Sequence, residues 1–249
     1  MQFLIFLSLD QPIFAKQIKK VPKLLYIDTT GEIALIGLSI QSQIVAQVKN
    51  EQTQNHAEFV QTSIQNICTT HSFDLVQLDA IVVTLGPGSY TGMRVGLASA
   101  KGIAYALDKP LIGLSSLALL ARTGKKQINN SIGSYRIFSM IDARRMEVFG
   151  ALYDQDEKAL TDEKAIVLDS TYLNNIPQDG PIYCLGSGAF KTIELIKNEN
   201  WKLLDIRYSV EEMQELAQIK WDKQDFENLA YVGPTYIKEV YTIPSKQAK

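Results

Sequence analysis

The sequence predicts an α/β protein built from two copies of one βββαβα unit, and three observations predict it. An apolar run ending in Ile27-Asp28 and opening onto a polar turn recurs at Ile141-Asp142, about 115 residues later, each time followed by an alternating strand. The segment Ala80 to Leu85 is almost continuously apolar, the pattern of a central strand covered on both faces. The chain of 249 residues is long enough for two lobes of ordinary size.

Residues 1–22 read as an N-terminal extension. Met1 to Leu9 is apolar but has no basic flank, is broken by Asp10, and is too short to span a bilayer. The first lobe, residues 23–121, begins with strands at Leu24 to Asp28, Ile33 to Ile40 and Ile44 to Val48, a meander whose first turn is Thr29 to Glu32. A helix over Asn55 to Cys68 follows, with Val60, Ile64, Ile67 and Cys68 on one face and Asn55 and Glu58 spaced as a capping box. Strand Ala80 to Leu85, a helix over Thr91 to Leu107 and strand Leu111 to Leu114 complete the lobe.

The second lobe, residues 122–225, repeats the order after a polar stretch. Its strands are Arg136 to Asp142, Glu147 to Tyr153 and Lys164 to Leu168, with a turn at Ala143 to Arg145, a strand-turn-helix over Ile182 to Lys197 and a helix over Glu211 to Ile219. The segment 226–249 is expected to pack back on the first lobe. Two such lobes facing across a cleft form the architecture of the actin, hexokinase and Hsp70 group.

Composition excludes several classes. With 25 basic and 27 acidic side chains, the chain lacks the positive excess of a protein that holds nucleic acid unaided, so any RNA contact is local or shared. Cys68 and Cys184 are far apart, and neither they nor His56 and His71 have metal-ligand spacing, so neither a zinc site nor a disulfide framework is indicated. A reducing cytoplasm suits such a chain. No Ser-His-Asp order or Gly-x-Ser-x-Gly elbow marks a hydrolase.

In the two-lobed architecture, acidic residues closing the two first strands would face each other across the cleft. Asp28 and Asp142 hold those places. Thr29, Thr30, Gly86, Gly88 and Ser89 lie in the adjoining turns, where backbone amides at a helix start could hold a nucleotide's phosphates, and Gly186 and Gly188 lie in the second lobe's loop, where an adenosine could rest. The alternative is that each Asp accepts hydrogen bonds from its own turn and that Ser89 or Thr91 caps the helix. The Gly86 loop also lacks the Gly-Lys-Ser/Thr ending of a P-loop.

The helix after that loop is unusually rich in small residues, although glycine costs about 1 kcal/mol against alanine in a helix. Gly92, Gly96 and Ala100 form one groove, and Ala98, Gly102 and Ala106 a second. One serves its own sheet, so the other needs a partner, either the neighbouring helix or the same helix pair of another subunit. The contact residues drawn from these helices are His56, Val60, Ile64, Gly92, Arg94, Gly96, Ser99, Ala100 and Ile103.

The run Gly86-Pro87-Gly88-Ser89-Tyr90-Thr91-Gly92-Met93-Arg94-Val95-Gly96-Leu97, followed by Ala100-Lys101-Gly102, strongly resembles the TsaB family, also called YeaZ. Tyr26-Ile27-Asp28-Thr29-Thr30, Pro110 to Ser116, and Ile141 to Arg145 with Glu147-Val148 agree with it. The match is good over Lys23 to Tyr153 and loose beyond Asp154, and the residues before Lys23 exceed the usual family start.

The resemblance implies a catalytically inactive relative of TsaD, the subunit that transfers threonylcarbamoyl to adenosine 37 of ANN-decoding tRNAs. It implies pairing with TsaD through first-lobe helices, with the ATPase TsaE joining, a homodimer when TsaD is absent, tRNA reached only through the complex, and no cofactor, metal or membrane. The His-x-x-x-His iron site of TsaD-like proteins is missing from this sequence. Two further readings stay open: an ATP-dependent phosphotransferase using Asp28 as base or magnesium anchor, and a glycopeptidase.

Overall fold

Apolar side chains on both faces of the first strands require helices on both sides of the sheet. In the computed structural model, which describes residues 21–50, 55–128, 133–177, 179–196 and 198–238, five strands form the first sheet. They are β1 (Leu24–Asp28), β2 (Ala34–Ile40), β3 (Gln43–Asn50), β4 (Ala80–Gly86) and β5 (Leu111–Ser115), in the order β3-β2-β1-β4-β5. β1 pairs antiparallel with β2 and parallel with β4.

The helices are α1 (His56–Thr70), α2 (Tyr90–Leu107), α3 (Ser116–Gln127), α4 (Ser170–Asn174) and α5 (Val210–Lys223). On one face of the sheet, Leu25, Ile27, Ile81 and Val83 pack with Val60, Ile64 and Ile67 of α1 and Leu97, Ala100 and Ala104 of α2. On the other, Leu24, Tyr26, Ala80 and Val82 pack with Leu119 of α3 and Val210, Met213 and Ala217 of α5.

The second sheet contains β6 (Arg136–Asp142), β7 (Glu147–Asp154), β8 (Lys164–Val167), β9 (Ile182–Leu185) and β10 (Trp201–Leu204). Its order, β10-β9-β6-β7-β8, is that of the first sheet, with β6 antiparallel to β7 and parallel to β9. The repeat inferred from the two Ile-Asp pairs is therefore a repeat of topology. Both pairs end the central strand of their sheet.

Several elements differ from expectation. Asn55 sits at φ 69° and makes no side-chain cap, so the Asn55-Glu58 capping box does not form; a capping residue needs extended backbone for its side chain to reach back. Helix α3 was not foreseen because its apolar face is interrupted by Thr123 and Gly124, yet both are buried. After β9 the expected helix is only a 3-10 turn, Ala189–Thr192, and β10 follows. Helix α5, expected in the second lobe, covers the first sheet, whose Leu24 and Val82 face would otherwise meet water.

The described part of the C-terminal segment returns to the first lobe. Glu227 N donates to Leu111 O at 2.8 Å and Thr235 N to Leu85 O at 2.9 Å, while Leu229 and Val232 pack on the first core. The N-terminal extension up to residue 20 and the tail from 239 lie outside the described residues.

Candidate functional site

Asp28 closes β1, and its carboxylate turns back on its own chain. Oδ1 accepts from Thr30 N at 2.8 Å and from Thr30 Oγ1 at 2.7 Å. Thr30 Oγ1 lies 3.3 Å from Ser116 Oγ and 3.4 Å from the Tyr208 hydroxyl. This places a buried polar cluster where β1 meets the start of α3. Burial raises the Asp28 pKa above its ordinary value, against the lowering effect of the Thr30 and Tyr208 hydrogen bonds and of His56. Burial, with the Asp28 charge beside it, also pushes the Tyr208 hydroxyl well above its ordinary value. The hydrogen bonds of the turn-acceptor reading of Asp28 are present.

The Gly86 loop is docked on the same turn. Ser89 N donates to Thr30 O at 2.7 Å, and Ser89 Oγ accepts from Gly92 N at 3.2 Å, capping α2. A Cβ on Gly88 would stand 2.4 Å from Thr30 O, and one on Gly92 1.9 Å from Thr29 O. Thr29 Oγ1 donates to Gly92 O at 2.6 Å. Glycine is thus required here by contact between two backbones. The Ser89 and Gly92 amides donate within the chain.

The second-lobe counterpart is built alike but more openly. Asp142 accepts from Arg144 N at 2.6 Å and lies 2.9 Å from Lys191 Nζ, while its own amide donates to Ser187 Oγ. Partial burial would raise the Asp142 pKa, but Lys191 and the Arg144 amide outweigh it and hold the carboxyl low. Gly186, at φ 91°, could not carry a Cβ without meeting Met140 O at 2.2 Å, and Gly188 presses on Val148 and Ile141. The two carboxylates expected to face a nucleotide are engaged by a turn and by a lysine. No sequence signal pointed to Lys191, which reaches Asp142 across the strand-to-turn crossing after β9.

The loop between β6 and β7 carries strain. Ala143 N donates to Glu147 O at 3.1 Å, closing a tight hairpin in which Arg144 and Arg145 sit at φ 69° and 45°. Left-handed backbone costs a residue with a Cβ roughly 1–2 kcal/mol, and both arginines are exposed.

Five residues of the partner surface drawn from the sequence are buried within the chain. Gly92, Gly96 and Ala100 of α2 are buried against β1 and its turn, a Cβ on Gly96 meeting Thr29 Oγ1 at 2.4 Å, and Val60 and Ile64 of α1 belong to the same core. That groove is the one that serves its own sheet. Ile103 packs against the core too, and His56 is half-buried. Ser99 accepts from Gln61 Nε2 at 3.2 Å, tying α2 to α1.

The outward face of α2 consists of Ala98, Gly102 and Ala106, all exposed, with nothing within 4 Å of a Cβ on Gly102. Tyr105 stands beside them, 83% exposed. Arg94, at the start of the helix, lies over the Tyr90 ring at 4.0 Å and donates to the Tyr236 hydroxyl at 2.6 Å, so the returning C-terminal segment holds it. An open groove of about 730 Å³ runs beside α1, lined by Gln61, Ile64, Cys68, Phe73 and Leu75 among others, away from the Asp28 and Asp142 turns.

Features the sequence did not disclose complete the junction between the lobes. Ser115 donates to Glu163, which reaches over from the second lobe beside Tyr153. Burial raises the Glu163 pKa, against the Ser115 and Tyr153 hydrogen bonds. Among the described residues no group of three or more His, Cys, Asp or Glu side chains could hold a metal ion, and no helix is long and apolar enough to cross a membrane.

The family described as TsaD, tRNA N6-adenosine threonylcarbamoyltransferase, matches residues 43–239. The TsaB protein of Escherichia coli, a tRNA threonylcarbamoyladenosine biosynthesis protein, is 33% identical over 55% of this chain and 58% of its own length. The TsaB protein of Bacillus subtilis is 30% identical over 66% of this chain and 70% of its own. The chain thus spans somewhat over half the length of the first of these relatives. The solved structure of YeaZ from Pseudomonas aeruginosa superposes with a TM-score of 0.72 at 20% identity, covering 87% of this chain and all of that one. That likeness concerns the fold.

Proposed function

Because the chain belongs to the TsaB (YeaZ) family of tRNA threonylcarbamoyladenosine biosynthesis proteins, we propose that it is a non-catalytic subunit that binds and activates a TsaD-type transferase. The observation that carries this reading is the outward face of α2. Ala98, Gly102 and Ala106 leave a shallow channel beside the exposed ring of Tyr105, and α1 runs alongside, tied on by Gln61 and Ser99. A helix from another chain can approach such a face closely, because no side chain holds it off. Its knob of Tyr105 next to a small-residue channel also suits a two-fold pairing of identical surfaces, the homodimer formed in the partner's absence.

The first-lobe turn supports a scaffolding role over catalysis. Asp28, in the position of a base or magnesium anchor, already accepts hydrogen bonds from Thr30, and the Gly86 loop is pressed on the same turn. Asp142 is ion-paired with Lys191. TsaE joins the assembly in this reading, and tRNA is acted on by the complex.

The test is co-purification with the cognate TsaD and TsaE, followed by a tRNA-modification assay with and without this chain. Gly102→Trp fills the outward channel from a position where a Cβ meets nothing within 4 Å, so it is expected to abolish capture and modification without lowering the thermal midpoint. Capture that survives Gly102→Trp together with Ala98→Trp would refute the assignment of the surface.

A further inference from the structure

Four cations surround the β6–β7 loop, and the two nearby carboxylates are taken by two of them. Lys191 Nζ lies 2.9 Å from Asp142 Oδ1 and donates to Glu147 O at 2.9 Å, and Lys238 Nζ binds the Glu147 carboxylate. Arg144 and Arg145 are left over. Both are exposed, and among the described residues neither guanidinium meets a carboxylate, an acceptor or an aromatic ring. Arg94, Arg122 and Arg136, by contrast, are each engaged within the chain.

The pair forms the tip of a tight hairpin turn. Two consecutive arginines stand in the left-handed region, where asparagine or glycine would relieve the strain. Beside the loop, the 3-10 turn that supplies Lys191 leaves Phe190 half exposed, with Ile193 exposed just beyond it.

We propose that the loop Arg144–Met146, with Phe190 beside it, is a contact for the phosphate backbone of an RNA in the class its relatives act on, a tRNA. The inference rests on the reading of this chain as a tRNA-modification subunit. Guanidinium forks match phosphate oxygens two at a time, and an exposed phenylalanine offers a face on which an unpaired base stacks. An acidic protein is the competing occupant of such a patch, and loss of partner capture in the test below is its signature. With a formal net charge of −2 the chain exerts no broad pull on a polyanion, so this contact adds to binding made by the rest of the assembly.

The experiment measures affinity for an unmodified tRNA transcript between 50 and 200 mM salt (on the order of the range over which phosphate contacts are read), using the full chain alone and in complex with its transferase partner. Arg144→Glu/Arg145→Glu is expected to weaken binding by about tenfold or more and to flatten the dependence of log K on log salt by roughly 1.5 to 2, the loss of two phosphate contacts. Arg144→Asn/Arg145→Gly removes the charge and the strain together and is expected to show the same direction of loss with a raised thermal midpoint.

Unchanged tRNA affinity and salt slope in both variants would overturn the proposal, as would absence of binding by the wild type in both forms at the lowest salt. Loss of partner capture with tRNA binding intact would make the loop a protein contact and also overturn it. Co-purification is scored separately, so failure to capture TsaD counts against the proposed function, whereas the arm with the chain alone still reads the loop.

Discussion

Asp28 accepts hydrogen bonds from Thr30 and Tyr208 and has no ion-pair partner among the described residues. Its pKa is raised in the fold above the ordinary 3.8, so the folded state holds the proton more tightly than the unfolded one. That contribution to stability is full below pH 3.8 and is lost as pH rises through the folded value. At neutral pH the charged form is therefore a cost. Asp28→Asn keeps an acceptor for Thr30 and removes the charge, and is expected to raise the thermal midpoint at pH 7.5 by a few degrees, on the order of 1 kcal/mol. The gain should shrink to nothing as pH is lowered toward 4, about the ordinary carboxylate pKa. Thermal melts of both proteins across that range check it, and a gain independent of pH would show that ionisation is not its cause.

Helix α2 has two small-residue faces with opposite tolerances. A Cβ on Gly92 would lie 1.9 Å from the Thr29 carbonyl, a backbone atom that cannot swing aside, whereas one on Gly102 meets nothing within 4 Å. Gly92→Ala is expected to destabilise the protein by about 3 kcal/mol through overpacking, and Gly102→Ala to stabilise it by about 1 kcal/mol through helix propensity. Urea titrations read both, and equal effects would mean that the faces are not distinct. The spacing of these glycines was plain in the sequence, but which groove faced out was not, because that depends on where Thr29 sits, more than sixty positions away. The strands were legible for the opposite reason: their apolar runs are local, as in Leu24 to Asp28 and Arg136 to Asp142. Helix α3 and the cluster of Ser116, Tyr208 and Asp28 were hidden, since burial of Thr123, Gly124 and Tyr208 is decided by elements far along the chain. The same holds for Lys191, whose role follows from its place above β6 and not from any motif.

At the scale of the whole molecule, the two sheets share helix α3. Leu119 of α3 belongs to the core of the first sheet, while Leu117, Leu120 and Ala121 pack with Ile137, Ala151 and Tyr153 of the second. Lys126, near the end of α3, binds Glu212 of α5 at 2.5 Å, and α5 lies on the first sheet. Glu163 and Lys238 add contacts across the junction, to Ser115 and to Glu147. Neither lobe can lose α3 without exposing its own core, so the lobes are expected to unfold together in one transition. The chain carries two tryptophans, Trp201 in β10 of the second sheet and Trp221 in α5 on the first. Trp201→Phe and Trp221→Phe therefore leave a fluorescent reporter in one lobe each. Their urea midpoints are expected to differ only by the small stability effects of the substitutions, which far-UV circular dichroism of the same samples measures independently. Leu117→Ala, which costs about 2–5 kcal/mol as a buried truncation, should lower the midpoint seen by both tryptophans equally. A shift confined to Trp201 would show that α3 serves the second lobe alone and that the lobes melt apart.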